Sequence, residues 1–158
     1  MTKEDLQALA IKMSEEMNIR YDWICAIIQI ESNWDAWAAR YEPYYKWIYK
    51  PAYFSKLNGV TFETENVLQC TSFGLMQCMG AVARESGLTE SLLTLTRPEI
   101  GLKYGLLKFR QLLGKYNYTM DAVAAYNAGS PRKKDGLYVN QQYVDKFKIA
   151  LGVKNEVG

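Results

Sequence analysis

The spacing of apolar residues predicts helices along most of the chain. Leu6, Leu9, Ala10, Met13 and Met17 recur at helical intervals, with Thr2 placed to cap the segment, Asp5 in its first turn and Asn18 as a stop. A second helix starts near Asp22 and ends between Asn33 and Asp35. Its centre, Ile24-Cys25-Ala26-Ile27-Ile28-Gln29-Ile30-Glu31-Ser32-Asn33-Trp34, is nearly free of polarity until Glu31. A helix apolar on almost every face belongs in a core. Aromatic residues then crowd residues 34–54: Trp34, Trp37, Tyr41, Tyr44, Tyr45, Trp47, Tyr49, Tyr53 and Phe54. Such rings either fill a core or stack on the apolar faces of sugars. Pro43 and Pro51 interrupt the stretch, which reads as short helical turns and loops. Val60, Thr61, Phe62 and Thr64 have strand character and suggest a strand pair within residues 58–70.

Beyond this the pattern is helical again. Thr71 or Ser72 is placed to cap a helix carrying Leu75, Met76, Met79 and Val82, closed by Gly87. Thr96-Arg97-Pro98-Glu99 has the form of a capping box opening the longest helix, to about Leu113. Gly101 and Gly105, one turn apart in it, would let another backbone approach closely. Thr119 starts a helix over residues 120–128 that Gly129 ends. The loop 129–136 carries Arg132, Lys133 and Lys134, either as a solvated surface or as a contact for an anionic polymer. A last helix spans about 140–151 with Tyr143, Val144, Phe147 and Leu151 inward. No internal repeat or linker interrupts the chain. The expected fold class is mostly α, a single domain over residues 1–158 with a small irregular or β-hairpin insertion.

Composition narrows the function. At 158 residues the chain is long enough to bury a core, and 49% hydrophobic with 23% charged residues describes a globular protein. A net charge of +2 alongside 17 acidic residues is too weak to indicate a nucleic-acid partner. The chain has no histidine, which removes Ser-His-Asp and Cys-His catalysis and the commonest zinc ligand. No metal and no cofactor is expected. Cys25, Cys70 and Cys78 are odd in number without Cys-x-x-Cys spacing, and read as reduced thiols. The first residues lead into an amphipathic helix rather than a signal peptide, and no apolar run suits a membrane span. The expectation is synthesis in the cytoplasm and delivery by another agent.

The candidate chemistry centres on Glu31. Ile27, Ile28 and Ile30 precede it within one helical turn, so its carboxyl leaves the backbone beside aliphatic surface. Burial disfavours the anion, and the negative end of the helix dipole acts in the same direction. No Lys or Arg lies between Tyr21 and Ala39 to oppose this locally. Such a carboxyl can stay protonated near neutral pH and serve as a general acid. It can equally be a buried structural Glu satisfied by a Tyr or a backbone N–H.

Three short segments occur in order: Glu31-Ser32, Gly74-Leu75-Met76-Gln77 and Ala125-Tyr126-Asn127-Ala128-Gly129. Together they resemble the lytic transglycosylase family, which shares a lysozyme-like fold with goose-type lysozymes. The resemblance covers roughly residues 5–130. The stretch Trp37-Ala38-Ala39-Arg40-Tyr41-Glu42-Pro43, with Ala83-Arg84-Glu85, looks like transglycosylases encoded by bacteriophages and prophages. The segment between Glu31 and Gln77 is longer than usual, and Gly80 stands where many relatives have proline.

The resemblance implies cleavage of the MurNAc-GlcNAc β-1,4 bond of peptidoglycan, with Glu31 as catalytic acid and then base. It places Met76 and Gln77 at the border of the sugar groove, Tyr126 near the Glu31 carboxyl and Asn127 in the wall of the cleft. Ser72 or Thr71 would stand near the reacting sugar. If the sugar's own C6 hydroxyl quenches the oxocarbenium-like centre, one carboxyl suffices and a 1,6-anhydromuramic acid end results. If water does so, as in a goose-type muramidase, a second carboxylate is needed, and Glu42, Glu63 and Glu65 are the candidates. A third reading is a silent glycan-binding phage structural protein. The expected partner is the peptidoglycan glycan strand, met by a monomer either after release as an endolysin or from within a virion.

Overall fold

The computed structural model describes residues 1–152; the end of the expected domain, 153–158, lies outside the described residues. Helix α1 (Lys3–Glu16) opens with a reciprocal cap. The Thr2 amide donates to Asp5 Oδ2 at 2.8 Å, and the Asp5 amide donates to Thr2 Oγ1 at 3.2 Å. Asn18 leaves the helix with φ 56°, as a stop should. Helix α2 (Tyr21–Glu31) buries Ile24, Ala26, Ile27 and Ile28. It ends at Glu31, earlier than the sequence pattern suggests, because Asn33 and Trp34 both turn to positive φ. The buried Trp34 ring donates its Nε1–H to Gln29 Oε1 at 3.1 Å, which holds the chain in that sharp exit.

The middle of the chain differs most from the expected pattern. Strand β1 (Ala39–Tyr41) leads into an irregular segment and then two short helices, α3 (Pro51–Asn58) and α4 (Phe62–Gln69). The strand pair expected within 58–70 is therefore a helix. Thr61 acts as its cap, accepting from the Thr64 amide at 3.1 Å, and Glu65 and Gln69 lie one turn apart on its buried face. Strand character at Thr61 reflects its extended backbone at the cap, φ -68° and ψ 157°. The strands lie just outside this interval: β2 (Thr71–Phe73) and β3 (Cys78–Met79) pair with β1 in an antiparallel sheet of order β1-β2-β3. Arg40 faces Ser72, and Ser72 faces Met79.

This sheet also replaces the helix expected from Thr71 onward. Gly74 has φ 72° and Gln77 φ 46°, so the segment between them turns tightly. The Gly74 amide donates to the Ala38 carbonyl at 2.8 Å, and a Cβ on Gly74 would stand 2.4 Å from the Leu95 carbonyl. Helix α5 (Gly80–Glu85) begins only after β3.

A 3₁₀ turn at Leu92–Thr96 precedes the long helix α6 (Pro98–Lys115). The expected capping box does not form, because the Thr96 hydroxyl bonds back to the Leu93 carbonyl at 2.7 Å. Pro98 at the first helical position sets the start instead. Of the two α6 glycines only Gly101 admits a backbone as expected, where a Cβ would lie 2.4 Å from the Leu95 carbonyl; at Gly105 the close neighbour is instead the Met76 side chain, 2.6 Å from such a Cβ. Helix α7 (Thr119–Ala128) ends at Gly129, whose φ is 78°. The basic loop folds into a small hairpin, β4 (Lys133–Lys134) and β5 (Leu137–Tyr138), before α8 (Gln141–Ala150).

The main core joins α1, α2, α6, α7 and α8 through Leu6, Ile27, Ile28, Leu106, Phe109, Val123 and Phe147. The fold is mostly helical and lysozyme-like, with small antiparallel strands inserted. Those strands fill one side of the space in front of Glu31, and α7, α8 and the hairpin fill the other.

Candidate active site

The last residue of the buried α2 is Glu31, and it projects into open space between these two sides. On the strand side is a cleft of about 340 Å³ whose walls include Arg40, Glu42, Ser72, Gln77, Lys108 and Tyr126. On the α8 side is a cleft of about 470 Å³ bordered by Asn140, Gln142, Tyr143 and Lys146. Glu31, Arg40 and Asn127 line both. The carboxyl thus stands at the boundary shared by the two clefts.

The electrostatics of Glu31 are a contest between burial and nearby donors. Burial is the largest influence and pushes the pKa above the usual glutamate range. The Tyr143 hydroxyl donates to Glu31 Oε1 at 2.6 Å and pulls in the opposite direction, as do the positive charges of Lys108 and Arg40. The net direction is upward. Tyr143 itself is pushed far up by burial and by the neighbouring carboxylate, so it remains a hydrogen-bond donor.

Lys108 enters from α6. Its Nζ donates to the Tyr126 carbonyl at 2.7 Å and lies 4.0 Å from the centre of the Tyr126 ring. Burial depresses its pKa, while Cys78 and Glu31 oppose that shift. The Tyr126 hydroxyl donates to the Met76 carbonyl at 2.7 Å, and the Ser32 hydroxyl donates to the Leu75 carbonyl at 2.8 Å. The three sequence segments are therefore laced together through two adjacent backbone carbonyls.

Each residue singled out in the sequence has a definite place. Ser72, Gln77, Tyr126 and Asn127 share the strand-side cleft with Glu31. The Gln77 amide also carries structure, accepting from Ser72 Oγ at 2.9 Å and donating to the Ala38 and Gly74 carbonyls at 3.1 and 3.0 Å. Met76 is corrected from the groove border to the core: its side chain is fully buried under Gly105, and only its carbonyl serves the site. Asn127 is held by the Asn140 side chain, whose Nδ2 donates to Asn127 Oδ1 at 2.9 Å.

The alternative carboxylates separate cleanly. Glu42 lines the cleft with Glu31 and is paired to Arg40 Nε at 2.5 Å. Glu63 sits exposed in the first turn of α4. Glu65 does not stand in the groove, contrary to its candidacy as a second carboxylate. It is buried against Arg84, with Oε1 2.8 Å from Nε and Oε2 3.0 Å from Nη2, and has no free oxygen to offer a water in the cleft.

Three contributors were missed: Lys108, Tyr143 and Arg40. Tyr143 reads from the sequence as a core residue, Arg40 lies in the Trp37–Pro43 stretch with no role attached, and no local feature of the sequence singles out Lys108. Among the described residues no group of three His, Cys, Asp or Glu side chains is placed to hold a metal ion, and no helix is long and apolar enough to cross a membrane.

The family model described as the transglycosylase SLT domain matches residues 8–148. No curated protein and no solved structure matches the chain.

Proposed function

The chain belongs to the transglycosylase SLT domain family, whose members cleave peptidoglycan glycan strands, and from that premise we propose that Glu31 is its single acid and base. The observation that carries this reading is the placement of Glu31: the end of a buried helix, raised in pKa by burial, at the meeting point of two clefts. A strand lying along both clefts has a glycosidic oxygen within reach of that carboxyl.

The steps follow from the chemistry of the groups. Protonated Glu31 gives its proton to the bridging oxygen as the bond from the MurNAc anomeric carbon breaks. The departing sugar keeps that oxygen as a hydroxyl. The oxocarbenium-like centre is then captured by the C6 hydroxyl of the same MurNAc residue, and the Glu31 carboxylate takes the proton that this hydroxyl loses. The new C1–O6 bond closes a 1,6-anhydro ring, and Glu31 is protonated again. Because the attacking hydroxyl belongs to the substrate, its effective concentration is high and no activated water is needed. Tyr143, fixed on Oε1, leaves Oε2 as the oxygen that handles the proton.

The muramidase alternative has one observation in its favour, the presence of Glu42 in the same cleft. Its pairing with Arg40 weighs against a role as the base for water. Mass spectrometry of muropeptides released from purified sacculi tests both routes. The expected products are anhydro species, about 18 Da lighter than their hydrolysed counterparts, which carry reducing ends. The Glu31→Gln protein should fold and lose at least about 10²-fold in rate, the low end of a general acid's contribution. Reducing ends from the unaltered protein overturn the transglycosylase route, and lysis by folded Glu31→Gln removes the role of Glu31.

A further inference from the structure

The aromatic segment between β1 and α3 is not absorbed by this chemistry. Tyr44 and Trp47 are 89% and 74% exposed, yet both line the cleft that contains Glu31. Tyr45, half-buried, meets the Trp47 ring edge-on with centroids 5.5 Å apart. Rings used for core packing do not stand out in water; burying one would gain on the order of 2 kcal/mol.

The segment is nevertheless held firmly. It has no strand or helix of its own between Tyr41 and Pro51. At its start the Glu42 amide donates to the Cys70 carbonyl at 2.8 Å. At its end the Tyr49 amide donates to Gln69 Oε1 at 2.6 Å, and Gln69 Nε2 returns a bond to the Tyr49 carbonyl at 2.9 Å. Gln69 also donates to Glu65 Oε1 at 2.9 Å, and Glu65 is locked to Arg84. Burying an ion pair is costly in desolvation, and its benefit is fixed geometry. Here that geometry fixes a loop whose large rings face outward beside a carboxyl.

We propose that Tyr44 and Trp47 form a stacking platform for pyranose rings of the glycan strand, on the strand side of Glu31. The chemistry of the wall selects this occupant. A pyranose presents one apolar C–H face, which suits an exposed aromatic ring, and a rim of neutral hydroxyl and acetamido groups. The charged groups next to the rings, Arg40 and Glu42, are already paired with each other, so they offer donors and acceptors without a net charge. That suits the neutral ring of an N-acetylglucosamine residue better than a charged peptide stem. The platform rests on the assignment of this cleft as the glycan groove, and it gives the segment between Glu31 and Gln77 a role in substrate binding.

The test separates binding from cleavage by using the Glu31→Gln protein. Its affinity for glycan strands stripped of peptide stems is measured calorimetrically, alone and combined with Trp47→Ala, Tyr44→Ala or Trp47→Phe. Trp47→Ala should weaken binding about tenfold, equivalent to about 1.4 kcal/mol, and Trp47→Phe should restore most of it. In the cleaving protein Trp47→Ala should raise KM with kcat little changed, the mark of a contact made equally in ground and transition states. The side chain is exposed, so native circular dichroism is expected and is checked. Unchanged affinity in Trp47→Ala, or binding that requires peptide stems, overturns the platform. Neither result bears on Glu31, whose own failure is lysis by Glu31→Gln or products with reducing ends.

Discussion

Removing the hydroxyl that holds Glu31 gives a directional test of how its acidity is set. Tyr143→Phe keeps the ring in its half-buried place on α8 and deletes the donor 2.6 Å from Glu31 Oε1. That hydrogen bond favours the carboxylate over the acid, so its loss must raise the Glu31 pKa further. Hydrogen bonds to charged groups contribute about 1.5–3 kcal/mol. The protonated carboxyl retains part of this, leaving a difference of about 1.4 kcal/mol, or about one pH unit. Lys108 and Arg40 remain in place and continue to pull the value down. A general acid must be protonated in the free enzyme, so kcat/KM falls as pH rises through its pKa. The alkaline limb of the pH profile should therefore move up by about one unit in Tyr143→Phe. Initial rates of solubilisation of purified sacculi, measured from about pH 4 to about pH 9 at constant ionic strength, resolve such a shift. A limb that stays in place, or moves down, in a folded variant refutes the role given to Tyr143.

Two further outcomes follow from the same site. Glu42→Gln breaks only an exposed pair with Arg40, worth at most about 1 kcal/mol, so fold and anhydro products should persist with a rate loss within about tenfold; a switch to no turnover counts for the water route. Glu31→Gln should melt at a higher temperature than the unaltered protein above neutral pH. The folded Glu31 pKa is raised, so its stabilising effect is complete below the ordinary value near 4.5 and is lost as pH rises through the folded pKa. The gap in melting temperature should close in acid, and a gap constant with pH would contradict the raised value.

The parts of this protein that were legible in its sequence are those whose physics is local. The α1 cap lies within four residues, Thr2 to Asp5, and the stop of α7 is one glycine in the left-handed region. The α2 stripe announced a buried helix with a carboxyl at its end. The parts that were not legible depend on partners distant in the chain. The Tyr143–Glu31 bond spans 112 residues, and nothing near Tyr143 marks it as different from a core tyrosine. Lys108 becomes part of the site only because α6 packs against α7. The segment 58–70 resembles a strand pair because β-branched residues stand at the cap, while the Glu65 and Gln69 pair on the buried face of the helix is polar and forms no apolar stripe. The 71–79 region failed differently. Its apolar spacing fits a helix, but Gly74 and Gln77 at positive φ turn it into a hairpin.

The environment of Glu31 also bears on why one carboxyl can suffice. A group that first gives a proton and then takes one back needs both of its forms within reach. Burial alone favours the neutral acid and would leave a reluctant carboxylate after the first step. The donors opposing it, Tyr143 by hydrogen bond and Lys108 and Arg40 by charge, favour the carboxylate, and under the proposed route would stabilise the anion left when the leaving oxygen is protonated. They come from α8, α6 and β1, elements otherwise joined only through the core and the small sheet. Lys108 can do so without competing for the proton, since its Nζ is tied to the Tyr126 carbonyl and stands over the Tyr126 ring. The motif residues hold this arrangement in register, because Ser32 and Tyr126 fasten the ends of α2 and α7 to the adjacent carbonyls of Leu75 and Met76. On this view Ser32 and Tyr126 of the three short segments act as fasteners, and the tuning of the acid is done by side chains outside those segments, Tyr143, Lys108 and Arg40.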